Sequence, residues 1–271
     1  MRQAVIFAAA LAVGAGVPET VVAQGRQGVV GGVEAPGEEP VRPAPRRESG
    51  QVRLDGGKEP GLWLGRPGDG FWDLGENAET VPYQDWTAAL AEERRQNQLE
   101  PHARCKPSGL SRQFLTPYGA EIVEIPELQR IYIFDVGGPH SYRTIYMDGR
   151  THPVDVSPSY YGHSIGWWDG DTLVVETTGF NEGFWMDRGG LPHTSQLRAV
   201  ERFTRTEFGA MRYVLTIDDP GAYTDPFDTE MELRWAAGDE LFEYVCQQAN
   251  YAPELMVGES EGANRTSPIV P

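Results

Sequence analysis

Apolar and polar residues alternate along the second half of the chain with a period of two. In 211–218, Met211, Tyr213, Leu215 and Ile217 share one face while Arg212, Val214, Thr216 and Asp218 share the other. In 227–235, Phe227, Thr229, Met231, Leu233 and Trp235 oppose Asp228, Glu230, Glu232 and Arg234. Successive side chains of a strand point to opposite faces, so this pattern predicts antiparallel strands with one buried and one wet face. Segments at 120–125, 129–135, 141–147, 162–168, 171–178, 197–205, 211–218, 227–235 and 241–247 are short, rich in β-branched and aromatic residues, and punctuated by Gly, Pro or Asp. Ahead of them, 82–97 (PYQDWTAALAEERRQN) carries Trp86, Leu90 and Ala91 at helical spacing behind Pro82, which suits a first turn. The predicted fold is mainly β: an antiparallel meander forming a barrel or strongly curled sheet, calycin-like, with one N-terminal helix. A two-sheet β-sandwich is the alternative.

The same pattern puts polar residues in awkward places. In 197–205 (LRAVERFTR), Glu201 shares its face with Leu197, Ala199 and Phe203. A carboxylate there must be paired, hydrogen-bonded or raised in pKa. Arg143 and Arg150, in 141–153 (SYRTIYMDGRTHP), are the nearest candidate partners; a general acid or base is the sharper reading of Glu201. The plainer reading of 141–153 itself is a hairpin turning at Asp148-Gly149, and the functional one sets Arg143 inside, gripping an acidic or carbonyl group.

Residues 162–180 (GHSIGWWDGDTLVVETTGF) raise the question of a dyad. A two-residue turn at Asp169-Gly170 would pair Trp168 with Asp171 and place His163 opposite Glu176. A bulged three-residue loop would set His163 beside Val175 instead. A surface pair is the plain reading of such neighbours, and a catalytic dyad the sharp one. Gly162-His163-Ser164-Ile165-Gly166 matches GxSxG, but strand and turn follow it, not the helix of a nucleophile elbow. The loop 179–197, with Phe184, Trp185, Asp187, His193 and Ser195, suits a lid at a barrel mouth or a loop packed down by its own aromatics.

Composition narrows the setting. Arg2, an apolar run over 4–17 and small residues at Val21 and Ala23 predict a signal peptide, 1–23, cut after Ala23. Residues 24–60 are rich in Gly, Pro, Glu and Arg and lack aromatics, which predicts a disordered leader. A single β domain is expected over 61–258 and a flexible C-terminal tail over 259–271. The net charge of −17 argues against nucleic acid, and no later apolar run is long enough for a membrane span. The two cysteines, Cys105 and Cys246, predict one disulfide in an exported chain. His140, His152, His163 and His193 show no tight ligand spacing, and no GxGxxG or Walker signature occurs, so neither a metal nor a cofactor is expected.

The motifs YRTIYMDGRTHP, GHSIGWWDGDTLVVETTGFN, PHTSQLRAVERFTR, TIDDPGAYTDPF and EYVCQQAN, with RCKPSG and the helix segment, resemble those of a large group of exported bacterial proteins whose activity is unassigned. The resemblance runs from about residue 82 to 258. It carries over Tyr142, Arg143, Asp148, Gly149, Arg150, His152, Trp168, Gly170, Asp171, Asn181, His193, Glu201 and Arg202. Asp169 stands where the group has Glu, and His163 and Trp167 occupy positions that vary within it. The resemblance implies a single fold and export, and transfers no activity.

Two functions are therefore expected. One is a periplasmic or secreted barrel that binds a small, partly apolar ligand in an aromatic-lined cavity, with Tyr142, Arg143, Trp168, Asn181 and Trp185 as binding residues. The other is a cofactor-independent acid/base enzyme (hydrolase, lyase or isomerase) in the same cavity, using His152, His193 and Glu201, or His163 with Glu176 if the hairpin register permits.

Overall fold

The computed structural model describes residues 41–65, 81–116, 118–135, 140–243 and 245–246. Its strands are β1 (Gly61–Gly65), β2 (Ala120–Ile125), β3 (Arg130–Asp135), β4 (Tyr142–Tyr146), β5 (His163–Asp169), β6 (Thr172–Thr178), β7 (Arg198–Glu207), β8 (Ala210–Asp218) and β9 (Phe227–Ala237). Each pairs with the next, and β1 pairs with β9, so the sheet closes into a barrel. All seams but one are antiparallel; β4 and β5 run parallel, with Ile145 opposite Ser164 and Tyr146 opposite Ile165. Nine strands require such an exception. Every antiparallel seam reverses strand direction, so their number round a closed ring must be even. A parallel seam in turn needs a crossover connection of a dozen or more residues, which 147–162 supplies. The hairpin expected at Asp148-Gly149 is thus the start of this crossover.

Two strand expectations fail, each for a reason. No strand forms among the described residues of 241–247, because β9 already has β8 and β1 on its two edges. The strand at Gly61–Gly65 escaped notice because all five residues are buried, which erases the alternation. The helix α1 (Asp85–Asn97) begins after Pro82 and buries Thr87 and Ala91, leaving Trp86 46% exposed rather than in the core.

Inward positions of the strands make the core: Ile131 and Ile133, Ile145, Leu173 and Val175, Phe203, Tyr213 and Leu215, Leu233 and Trp235. The barrel is not hollow. Residues 108–116 fold into it, and the Phe114 ring lies 5.8 Å from Phe203 and 5.7 Å from Tyr213. Just before this segment, Cys105 is joined to Cys246, as expected from the cysteine count, although Cys246 lies beyond the last strand. No helix among the described residues is long and apolar enough to cross a membrane.

Residues 41–60 depart from the expected disordered leader; 1–40 lie outside the described residues. Val52 and Leu54 are fully buried, Leu54 N–H donates to Glu124, and its carbonyl accepts from Trp63 Nε1 at 2.8 Å. The carbonyls of Arg53 and Asp55 accept from the buried Arg205 guanidinium, which also lies over the rings of Trp63 and Trp235. Average composition hid two apolar residues and a set of carbonyls that cap one end of the barrel.

Candidate functional site

The crossover 147–162 leaves β4, passes over the outside of the barrel and enters β5. Beside it lies an open cleft of about 470 Å3, walled by Tyr142, Tyr146, Tyr160, Tyr161, His140 and His163, with hydroxyls from Ser141, Thr144 and Ser159. Among the described residues its lining holds no carboxylate, and Arg143, the one Arg or Lys there, is buried. The Tyr142 ring, 58% exposed, stands 5.6 Å from Phe134 and 6.4 Å from Tyr132, which extends the aromatic surface along the outer face of β3. The cleft is open to solvent, and its lining combines aromatic rings with a few hydrogen-bonding groups.

The hairpin register corrects the expected dyad. The loop of the β5–β6 hairpin is Gly170 and Asp171, and Asp169 pairs with Thr172. Positive φ falls on Gly170, the first central residue, as in a type II′ turn rather than the expected turn centred on Asp169-Gly170. Arg46 grips the Asp171 side chain and Gln51 donates to the Gly170 carbonyl, so the docked segment holds this turn. His163 therefore faces Thr178, and Glu176 faces Ile165. Both remain on the outer face, one pair apart, and the crossover places His152 between them. His152 Nδ1 lies 2.8 Å from His163 Nδ1, and its Nε2 lies 3.4 Å from Glu176 Oε1. Arg198 pairs with the other Glu176 oxygen. The His163 ring also stacks on Tyr146, with centroids 5.2 Å apart. Burial, then the neighbouring His152, pushes the His163 pKa below the usual histidine range.

Behind the cleft wall sits a second cluster. Asp135 ends β3 on the inward face, and its Oδ2 accepts from Tyr161 at 2.7 Å and from Ser108 at 3.4 Å. Burial pushes the Asp135 carboxyl up to about 7, against the pull of hydrogen bonds from Tyr161, Gln113 and Ser108 and the charge of Arg143. Its Oδ1 meets no donor in hydrogen-bonding geometry among the described residues. The Tyr161 hydroxyl is raised as well, by burial and then by Asp135, so it remains a phenol that donates.

Deeper in the barrel, Arg143 and Glu201 form a bidentate pair at 2.5 and 2.7 Å. Arg143 Nε donates to Gln113 Oε1 at 2.9 Å, and the Tyr213 hydroxyl donates to Glu201 at 2.9 Å. Burial alone would lower the Arg143 pKa; the charge and hydrogen bonds of Glu201 outweigh it and hold the pKa above its usual value. Side-chain exposure is 2% for Arg143 and 0% for Glu201. The expectation that Glu201 points inward to an arginine is met, and Arg143 rather than Arg150 is the partner. Arg150 instead pairs with Asp148 at the surface.

The remaining expected residues lie elsewhere. His193 is buried against Phe184, its nitrogens 3.2 and 3.4 Å from the carbonyls of Phe184 and Thr194. Trp185 is buried beneath Arg94, Trp168 sits near the turn end of β5, and the Asn181 side chain accepts from Gly183 N–H. The loop 179–197 is thus packed down by its own aromatics, with Phe184, Trp185 and Met186 all buried. Ser164 is buried near the start of β5, sharing a hydrogen bond with Thr177, and is no nucleophile elbow. Of the expected site residues the cleft gathers Tyr142, His163 and part of Arg143, and His152 and Glu176 adjoin it.

Sequence reasoning missed Tyr160, Tyr161 and Asp135. Asp135 shares its alternation face with Ile131 and Ile133, the same signal that exposed Glu201. Tyr160-Tyr161 sit in an irregular stretch where no periodicity speaks. No protein-family model, curated protein or solved structure matches the chain.

Proposed function

We propose that this is an exported β-barrel protein that binds a small, uncharged, partly apolar molecule in the cleft at the parallel β4–β5 seam, not in the barrel interior. The observation that carries this reading is the contrast between the two places. The interior is filled by 108–116, and its bidentate Arg143–Glu201 pair is mutually satisfied, whereas the seam cleft presents tyrosine rings, hydroxyls and imidazoles. Aromatic faces with no carboxylate and no free guanidinium select a neutral ligand with a flat apolar side. Export agrees with the N-terminal segment and with the Cys105–Cys246 bond, which persists in oxidising compartments. A second reading, a cofactor-independent acid/base enzyme using the same cleft, is favoured by the histidine pair at its edge.

Native mass spectrometry of the full chain, purified from its exported form, tests the reading. A small-molecule adduct is expected, and Tyr142→Ala should remove it while the fold is retained. An adduct that survives both Tyr142→Ala and Tyr146→Ala would place binding elsewhere.

A further inference from the structure

One proton fits between His152 and His163. Their Nδ1 atoms are 2.8 Å apart, so one must donate and the other accept. Glu176 decides which. Its Oε1 lies 3.4 Å from His152 Nε2, a charge contact outside hydrogen-bonding geometry, and a lone pair on Nε2 would meet that negative oxygen, so Nε2 carries the hydrogen. His152 Nδ1 is then the acceptor and His163 Nδ1 the donor. That leaves His163 Nε2 as a lone pair with no hydrogen-bond partner among the described residues, on a side chain that lines the seam cleft.

We infer that Glu176, His152 and His163 form a proton relay whose outer end, His163 Nε2, is a general base for the hydroxyl of a neutral ring compound bound in this cleft. The inference rests on the seam cleft as the binding site. The ring would lie against the tyrosine faces and present its O–H to His163. When that bond breaks, the proton goes to His163 Nε2 and the electron pair stays on the ligand oxygen. The Nδ1 proton of His163 passes to His152 Nδ1, so the positive charge comes to rest on His152 beside Glu176. No atom or electron is left over. His163 is the catalytic residue, and His152 and Glu176 position and charge it.

The surrounding charges fit this role. Arg198, from β7, holds Glu176 in place and is itself 3.9 Å from Asp218 of β8. From the crossover, the Arg150 charge acts against protonation of His163 and that of Asp148 for it; from β4, Tyr146 contributes a ring face. The low pKa of His163 keeps the lone pair available at neutral pH.

The test uses the full chain with 15N-labelled histidine and two probes, p-nitrophenol and methyl glucoside, which separate a phenolic from a sugar hydroxyl. At pH 8 the nitrogen shifts should show His163 protonated at Nδ1 and bare at Nε2, and Glu176→Leu should abolish that preference while the other histidine signals stay in place. Bound p-nitrophenol should show more phenolate than the free probe at a pH below its midpoint, and His163→Phe should cancel the excess at matched occupancy. Methyl glucoside bound without p-nitrophenol, and weakened by His163→Phe by about tenfold, would support the relay with a sugar hydroxyl as its substrate. A hydrogen on His163 Nε2 at pH 8, or bound p-nitrophenol with unchanged ionisation, overturns the relay. Failure of both probes to bind, with the expected tautomer present, overturns the cleft and the substrate assignment instead.

Discussion

Asp135→Asn should change how stability depends on pH. The Asp135 carboxyl is held at about 7 in the folded protein, chiefly by burial, against an unfolded value of about 3.9. Below pH 4 both states hold the proton and the group contributes nothing. Between about 4 and 7 the unfolded chain releases it while the folded chain keeps it, so stability falls as pH rises. About three pKa units at 1.36 kcal/mol each makes a loss of about 4 kcal/mol by pH 8. The asparagine is close in shape, never ionises, and can still accept from Tyr161 through its carbonyl oxygen. Relative to the parent, the variant should therefore gain about 4 kcal/mol between pH 4 and pH 8. Urea unfolding at pH 4.5, 6 and 8, with the disulfide intact, measures this as a divergence of the two midpoints with unchanged slopes. Parallel curves across that range would refute a neutral buried carboxyl. A variant that loses stability as pH rises would show that an ionised Asp135 is instead stabilised, by Arg143 or by water at Oδ1.

Three further outcomes follow from the core and the segment docked on it. Glu201→Gln should destabilise the fold by about 3 to 5 kcal/mol, since it strands the Arg143 guanidinium in the barrel; chemical denaturation measures it, and a loss under about 1 kcal/mol would mean water reaches the pair. Leu54→Ala should cost about 2 to 5 kcal/mol, and a chain beginning at Gly61 should melt well below one beginning at Val41, because the shorter chain leaves Arg205 without the carbonyls of Arg53 and Asp55. Equal melting of the two chains would show that the docked segment is dispensable.

The barrel was legible because most of its strands carry alternation, and alternation is a local signal. Glu201 was legible for the same reason: its place in the period put a charge among Leu197, Ala199 and Phe203, and the structure supplies the arginine. The failures of register and docking concern what lies beyond one strand. The β5–β6 register is not legible locally because Asp-Gly admits more than one turn, and the contact that fixes it, Arg46 on Asp171, comes from a segment whose composition predicts disorder.

The cleft is the clearest case. It exists because nine strands close into a ring and one seam must then be parallel. A parallel seam needs a long crossover, and the crossover carries Tyr160 and Tyr161 into the cleft wall and His152 against His163. None of these steps is visible in any window of sequence, since each depends on the strand count and on where the ring closes. His152 and His163 are eleven residues apart with no ligand-like spacing, yet ring closure brings them within one hydrogen bond. In the register the protein uses, Glu176 does not face His163, and the two meet through His152, which arrives from the crossover.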